Sequence, residues 1–175
     1  MSNIIFITGG ARSGKSDLAV KLAKDSGGKV AFIATATAGD EEMSERIRKH
    51  KESRPSEWTT IEESRDVASA INSAYGNDVL IIDCLTLLLS NLICESEDIG
   101  DTGWILDEVG KITEAARAFN GKVIIISNEL GMGIVPENRL AREFRDLAGR
   151  GNQIIARSAD EVYVCFSGIP VRIKG

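Results

Sequence analysis

The stretch Ile4-Ile5-Phe6-Ile7-Thr8-Gly9-Gly10-Ala11-Arg12-Ser13-Gly14-Lys15-Ser16 decides the fold. An apolar, β-branched run leads into a glycine-rich loop, and Lys15–Lys24 then has helical spacing, so a buried strand, a loop and a helix follow in order. Gly9–Ser16 spells G-x-x-x-x-G-K-S, the string expected of a loop that cradles phosphates between a strand and a helix. Its glycines let backbone N–H groups turn inward around phosphate oxygens, and the helix start adds partial positive charge at the same point. Lys15 would reach the β- and γ-phosphates, and the Ser16 hydroxyl would ligate Mg²⁺. Chance alone would produce the string in such a chain with a probability on the order of 1%. The alternative, a glycine-rich turn that binds nothing, has to ignore the strand before it and the helix after it.

Working outward, Val30–Ala34, Val79–Asp83, Val123–Ser127 and Val162–Phe166 repeat the pattern of Ile4–Thr8 as nearly unbroken Val/Ile/Leu segments. Such runs are expected of central parallel strands buried on both faces. Val171-Arg172-Ile173-Lys174 alternates and suits an edge strand. Helices are predicted at Lys15–Lys24, Glu41–Glu52, Arg65–Tyr75, Thr86–Cys94, Trp104–Phe119 and Asn138–Ala159, with Gly76 and Asn120-Gly121 as stops. The expected fold is therefore α/β, a P-loop NTPase (RecA-like) with a mostly parallel sheet and helices on both faces. At 175 residues, 1–175 is expected to form a single nucleotide-binding domain.

Charge limits the partners. With 21 Lys+Arg against 26 Asp+Glu the net charge is −5, and only 5% of residues are aromatic, so neither a basic stripe nor stacking platforms for nucleic acid are expected. No apolar run approaches the ~18 residues needed to cross a bilayer, and no leader is recognisable, so a cytoplasmic protein without membrane insertion is expected. Cys84, Cys94 and Cys165 are widely spaced and His50 is the single histidine, which argues against a Cys/His zinc site. The three thiols read as reduced core residues.

A phosphate loop needs a second acid at the end of a neighbouring buried strand. Asp83 closes Val79–Asp83 and fits that place as a ligand to Mg²⁺ or its water, although a carboxylate there could instead cap the helix near Thr86. Glu129 stands at the analogous mouth after the fourth run, with an open role. Asp40–Pro55 reads as a helix with Asp40 near its N-cap, acids in its first turn and bases toward its end. Arg46, His50 and Arg54 follow at four-residue steps, an anion-facing stripe if the last turn holds. An imidazole among cations is expected to be neutral and so available as a nucleophile or base. Locally, a solvated surface histidine is the simpler account. A regulatory GTPase would carry N-K-x-D, which is absent, so the local reading stops at a small-molecule kinase or nucleotidyl transferase.

Gly9–Ser16, the Arg46–Trp58 stretch with His50-Lys51 and Arg54-Pro55, and above all Asn128-Glu129-Leu130-Gly131-Met132-Gly133-Ile134-Val135-Pro136-Glu137-Asn138-Arg139 resemble one family. It is the bifunctional adenosylcobinamide kinase/adenosylcobinamide-phosphate guanylyltransferase family of cobalamin biosynthesis. The likeness continues through Phe144–Arg150 and Asn152-Gln153 to Ser167-Gly168-Ile169-Pro170, nearly end to end.

The resemblance implies two reactions. The hydroxyl of the aminopropanol arm of adenosylcobinamide takes the γ-phosphoryl of ATP or GTP. GMP from GTP then passes, through a guanylylated histidine, to adenosylcobinamide phosphate. It implies that His50 is that histidine, that Lys15 is catalytic, and that Gly9, Gly10, Ala11, Arg12, Ser13, Gly14, Lys15 and Ser16 hold the phosphates. Lys51, Glu52, Ser53, Arg54, Glu62 and Asp83 would line the GTP site, with Ala34, Thr35 and Ala36 as further candidates, and Glu62 would read the guanine N1–H and exocyclic amine. Ser16 and Asp83 would hold Mg²⁺. The family often carries Glu where this chain has Asp83, and some relatives have a second His where it has Lys49. Homo-oligomers are also implied, with a trimer as the candidate state, and Asn128–Asn138 would face the corrinoid or another subunit. The alternatives are a plain P-loop kinase with His50 inert, and a nucleotide-dependent assembly or strand-binding ATPase.

Overall fold

A computed structural model describes residues 2–52, 54–96 and 100–175. Seven strands, β1 (Asn3–Gly9), β2 (Val30–Ala34), β3 (Thr59–Glu62), β4 (Val79–Asp83), β5 (Lys122–Ile126), β6 (Glu161–Phe166) and β7 (Ile169–Lys174), form one sheet in the order β3-β2-β4-β5-β1-β6-β7. Every neighbouring pair is parallel except β6–β7. The helices are α1 (Lys15–Ser26), α2 (Glu41–Glu52), α3 (Val67–Ser73), α4 (Leu85–Glu95), α5 (Gly103–Ala118) and α6 (Arg139–Ser158).

Successive strand side chains point to opposite faces, and here both faces are buried. Ile4, Phe6, Ile33, Leu80, Ile82, Val123 and Ile125 pack on one side with Leu88 and Leu89 of α4, Ile105, Val109 and Ile112 of α5, and Ile155 of α6. Ile5, Ile7, Phe32, Ile81, Ile124 and Ile126 face the other side, where Ala19 and Ala23 let α1 lie close. Burying one such Leu or Ile stabilises the fold by roughly 2 kcal/mol, which is why the unbroken aliphatic runs become the central strands. Helices α2, α3 and α6 start at polar caps: Asp40, Asp66 and Asn138 each accept a backbone N–H three residues on, at 2.7, 3.0 and 3.1 Å.

Three expectations need correction. β3 was not expected: Thr59-Thr60-Ile61-Glu62 is short, polar at three of its four positions and exposed at two, and is held by pairing with β2 at the sheet's edge, not by burial. Helix α5 does stop before Asn120-Gly121, but not through a left-handed glycine cap. Helix α5 ends with Phe119 extended, and Gly121 matters because a Cβ there would overlap the Asp78 carbonyl oxygen. Cys84 and Cys165 are core residues, but Cys94 is exposed. Gly76 does adopt a positive φ of 90° after α3, as its stop role requires. Among the described residues no helix is long and apolar enough to cross a membrane.

Candidate functional site

The phosphate loop joins β1 to α1 at the C-terminal end of the sheet. Gly9 has φ 150°, and a Cβ there would lie 2.5 Å from the Cys165 carbonyl oxygen and 2.8 Å from Ser13 Oγ. Gly14 has φ 92°, with its would-be Cβ 3.0 Å from Gly168 Cα. The turn of the β6–β7 hairpin thus abuts the loop from behind, and the Gly168 N–H donates to the Ser13 carbonyl at 3.0 Å. The motif glycines are needed for close approach as well as for phosphate contact. On the β5 side the Glu129 N–H donates to the Gly9 carbonyl at 3.0 Å, and its carboxylate accepts from the Gly131 N–H at 2.7 Å. Glu129 therefore braces the loop and the segment that follows β5.

Lys15 is 8% exposed and folds back over the loop, its ammonium donating to the Gly10 carbonyl at 2.6 Å and to Ser13 Oγ at 3.4 Å. Burial pulls its pKa below the usual lysine value, with Cys84, Asp83 and Cys165 pulling the other way. Gly10, Ala11 and Arg12 are exposed along the outer rim of the loop.

The two expected metal ligands meet: Ser16 Oγ donates to Asp83 Oδ2 at 3.2 Å. Burial raises the Asp83 pKa above the usual carboxylate value, against the pull of His50, the Ser16 hydroxyl, Arg54 and Lys15. Asp83 does not cap α4, whose N-cap is Cys84 without a side-chain bond. Among the described residues no group of three or more His, Cys, Asp and Glu could enclose a metal. A hydroxyl beside a carboxylate at a phosphate loop fits Mg²⁺ nonetheless, because that ion keeps several waters and takes its remaining ligands from one or two protein oxygens and the phosphates.

A cavity of about 360 Å³ opens beside this pair, lined by Ser16, Asp17, Val20 and Lys21 of α1, by Phe32, and by His50, Arg54 and Asp83. The single histidine therefore faces the same space as the Ser16/Asp83 pair. Helix α2 ends at Glu52, so Arg54 lies beyond it. Its guanidinium carbon sits 3.6 Å from the Phe32 ring centroid, and this stacking keeps Arg54 in the cavity beside His50. The Arg46 side chain lies outside the described residues, so only the His50–Arg54 part of the stripe can be placed.

The remaining candidates divide. Lys51 Nζ donates to Glu62 Oε1 at 2.9 Å, which holds the Glu62 carboxyl below its ordinary range and joins α2 to the end of β3. Glu52 pairs with Arg48 on the exposed face of α2 and does not line the cavity. Ser53 lies outside the described residues. Ala34 and Ala36 are half-buried, and the Ala34 carbonyl accepts from the Glu63 N–H at 3.0 Å. Thr35 is fully buried and clamps the end of β4: its hydroxyl donates to the Cys84 carbonyl and accepts the Cys84 N–H, each at 2.8 Å, across the cis Asp83–Cys84 peptide.

The Phe32 platform, the Thr35 clamp and the hairpin behind the loop escaped sequence reasoning. Only the hairpin had a local signal, the Ser167-Gly168 turn between two β-rich runs.

Residues 5–173 match the family described as cobinamide kinase / cobinamide phosphate guanyltransferase. The bifunctional adenosylcobalamin biosynthesis protein CobU of Salmonella typhimurium is 42% identical over 181 residues, covering 98% of this chain and 99% of the relative. The CobP protein of the same description from Pseudomonas aeruginosa is 42% identical over 171 residues, covering 97% and 96%. Among solved structures, a KaiC-like protein from Pyrococcus horikoshii OT3 aligns with a TM-score of 0.52 at 14% identity, over 93% of this chain and 70% of that one, a likeness of fold alone. With a matched family over almost every residue and relatives covered nearly end to end, the chain belongs to the cobinamide kinase / cobinamide phosphate guanyltransferase family.

Proposed function

We propose that this chain is a bifunctional transferase of cobalamin biosynthesis, working as one nucleotide-binding domain. In the first reaction the terminal hydroxyl of adenosylcobinamide attacks the γ-phosphorus of ATP or GTP; the bond to the β–γ bridging oxygen breaks, the nucleoside diphosphate leaves and the hydroxyl proton is lost. In the second, an imidazole nitrogen of His50 attacks the α-phosphorus of GTP and pyrophosphate leaves. A phosphate oxygen of adenosylcobinamide phosphate then attacks the same phosphorus, breaking the P–N bond and giving adenosylcobinamide-GDP. The observation that carries this reading is that the single histidine lines the cavity bounded by Ser16 and Asp83.

The residues divide the work by position. Backbone N–H groups of Gly9–Gly14 and the Lys15 ammonium stabilise negative charge on the transferring and leaving phosphates. For Lys15 this requires leaving the Gly10 carbonyl; burial lowers its pKa, and an anionic phosphate at the loop would offset that burial cost. Ser16 and Asp83 would hold Mg²⁺, which when bound neutralises charge on phosphate oxygens. Arg54, fixed by Phe32, places a second cation beside His50. Glu62, kept ionised by Lys51, offers the acceptor pair that guanine's N1–H and amine require. A covalent guanylyl-enzyme divides one displacement into two in-line steps. Self-association is part of the proposal: Phe166, Ile169, Val171 and Ile173 expose an apolar strip along the edge hairpin, which a second copy would cover.

Intact-protein mass after exposure to GTP and Mg²⁺ tests the reading. One added GMP is expected on the wild type and none on His50→Ala, with phosphorylation of adenosylcobinamide retained in that variant. Lys15→Ala is expected to damage both reactions. An undiminished adduct on His50→Ala would refute the assignment.

A further inference from the structure

Helix α4 is apolar along most of its length, with Leu85, Leu88, Leu89 and Leu92 buried, yet it carries Asn91 among them. Asn is a poorer helix former than Leu, so the carboxamide needs another account. Its Nδ2 donates to the Thr35 carbonyl at 2.8 Å and to the Ser64 carbonyl at 3.1 Å, and its Oδ1 accepts from the Thr37 hydroxyl at 3.2 Å. One side chain thus holds the backbone leaving β2, the backbone leaving β3, and the segment that runs on from Thr37 to α2. Carbonyls just past a strand end have left the sheet's ladder and must find partners elsewhere.

We infer that Asn91 is a positioning residue for guanylyl transfer, setting where α2 leaves the sheet and so where His50 stands. The inference rests on the proposed role of His50. From Thr37 the chain reaches Asp40, which caps α2, and His50 lies ten residues beyond that cap, about 15 Å along a helix. A tilt of roughly 5° at the cap would move the imidazole by about 1 Å, and a 1 Å misplacement at a reacting centre can cost on the order of a hundredfold in rate. Phosphoryl transfer depends less on the Asn91 bonds. Asn91 also touches the Thr35 carbonyl, but Thr35 keeps its own N–H and hydroxyl contacts to the end of β4 when that bond is lost, and the Thr37 contact does not reach Asp83 at all. The phosphate loop is held by β1, Glu129 and the β6–β7 turn, and Asp83 is fixed by the Thr35 N–H on its carbonyl at 3.1 Å and by the Thr35 clamp on Cys84.

The test compares the two half-reactions in the full chain. Single-turnover guanylylation by GTP with Mg²⁺ is followed by intact mass, and phosphorylation of adenosylcobinamide is measured separately with ATP. Asn91→Ala is expected to slow guanylylation at least tenfold while phosphorylation stays within about threefold. Thr37 is exposed, so Thr37→Val should fold normally; it is expected to slow guanylylation about three- to fivefold, and Thr37→Ser, which keeps the hydroxyl, to restore it. Equal loss of both half-reactions in Asn91→Ala and Thr37→Val, or wild-type guanylylation in both, would overturn the inference. A wild type that takes up no GMP would overturn the His50 reading and this one with it, whereas normal labelling of the wild type with unaffected variants overturns this one alone.

Discussion

Replacing Arg54 isolates the contact that connects the end of α2 to the sheet. Its guanidinium lies 3.6 Å from the Phe32 centroid, well inside the ~6 Å range of a cation–π contact. Arg54 is half-buried, which puts the stack between the exposed and desolvated limits, about 1 kcal/mol. Truncation to Ala also uncovers roughly 30 Å² of the ring, adding about 0.8 kcal/mol at 25 cal/mol/Å². The sum is close to 2 kcal/mol, or a fall in Tm of about 4–8 °C for a chain of this size. Lys in place of Arg keeps the charge but loses the planar stack, so Arg54→Lys should fall between wild type and Arg54→Ala. Chemical denaturation of Arg54→Ala, Phe32→Leu and the double variant should give a coupling energy of about 1 kcal/mol. Because the same guanidinium faces the cavity shared by His50 and Asp83, guanylylation should slow at least tenfold in Arg54→Ala, and phosphorylation much less. A coupling energy indistinguishable from zero would refute the packing argument, and wild-type guanylylation in Arg54→Lys and Arg54→Ala alike would refute the functional one.

Asp83→Asn should separate stability from activity. Burial raises the folded pKa of Asp83, so its contribution to stability is fully present below the unfolded pKa and is lost as pH rises through the folded value. Raising the pH therefore costs wild type stability that an uncharged carboxamide does not lose, so Asp83→Asn should melt above wild type at pH 7, converge with it in acid, and lose Mg²⁺-dependent activity; a lower Tm at pH 7 would contradict this. Thiol titration should find one fast-reacting cysteine in the native protein, Cys94, and three after denaturation, because burial and the nearby Asp83 push Cys84 up to about 12 and burial raises Cys165. Gly121→Ala should cost about 2 kcal/mol or more, read as a lower denaturation midpoint, since its Cβ would overlap the Asp78 carbonyl oxygen and approach Phe119 to 2.9 Å. Guanylylation below the transition should be unchanged in that variant, which lies at the opposite end of the sheet from the phosphate loop.

Local pattern was enough for the parallel sheet and the phosphate loop. Val30–Ala34, Val79–Asp83 and Glu41–Glu52 have the bounds their spacing implied, because an aliphatic run can be buried on both sides only as a central strand, and Asp40 and Pro55 bracket a helix whatever surrounds it. Gly9–Ser16 was legible because phosphate binding by backbone amides is a property of a short contiguous segment. The rest depended on residues far apart in the chain. Thr59–Glu62 is a strand only because β2 offers its edge, Thr35 turns away from the cavity to hold Cys84, and Arg54 finds Phe32 across a gap of 22 positions. Hydrophobic burial is encoded residue by residue, so sequence alone determines which segments form the sheet. The direction in which a polar side chain points is settled by whichever distant partner satisfies its hydrogen bonds or charge, and that partner exists only once the strands have been ordered.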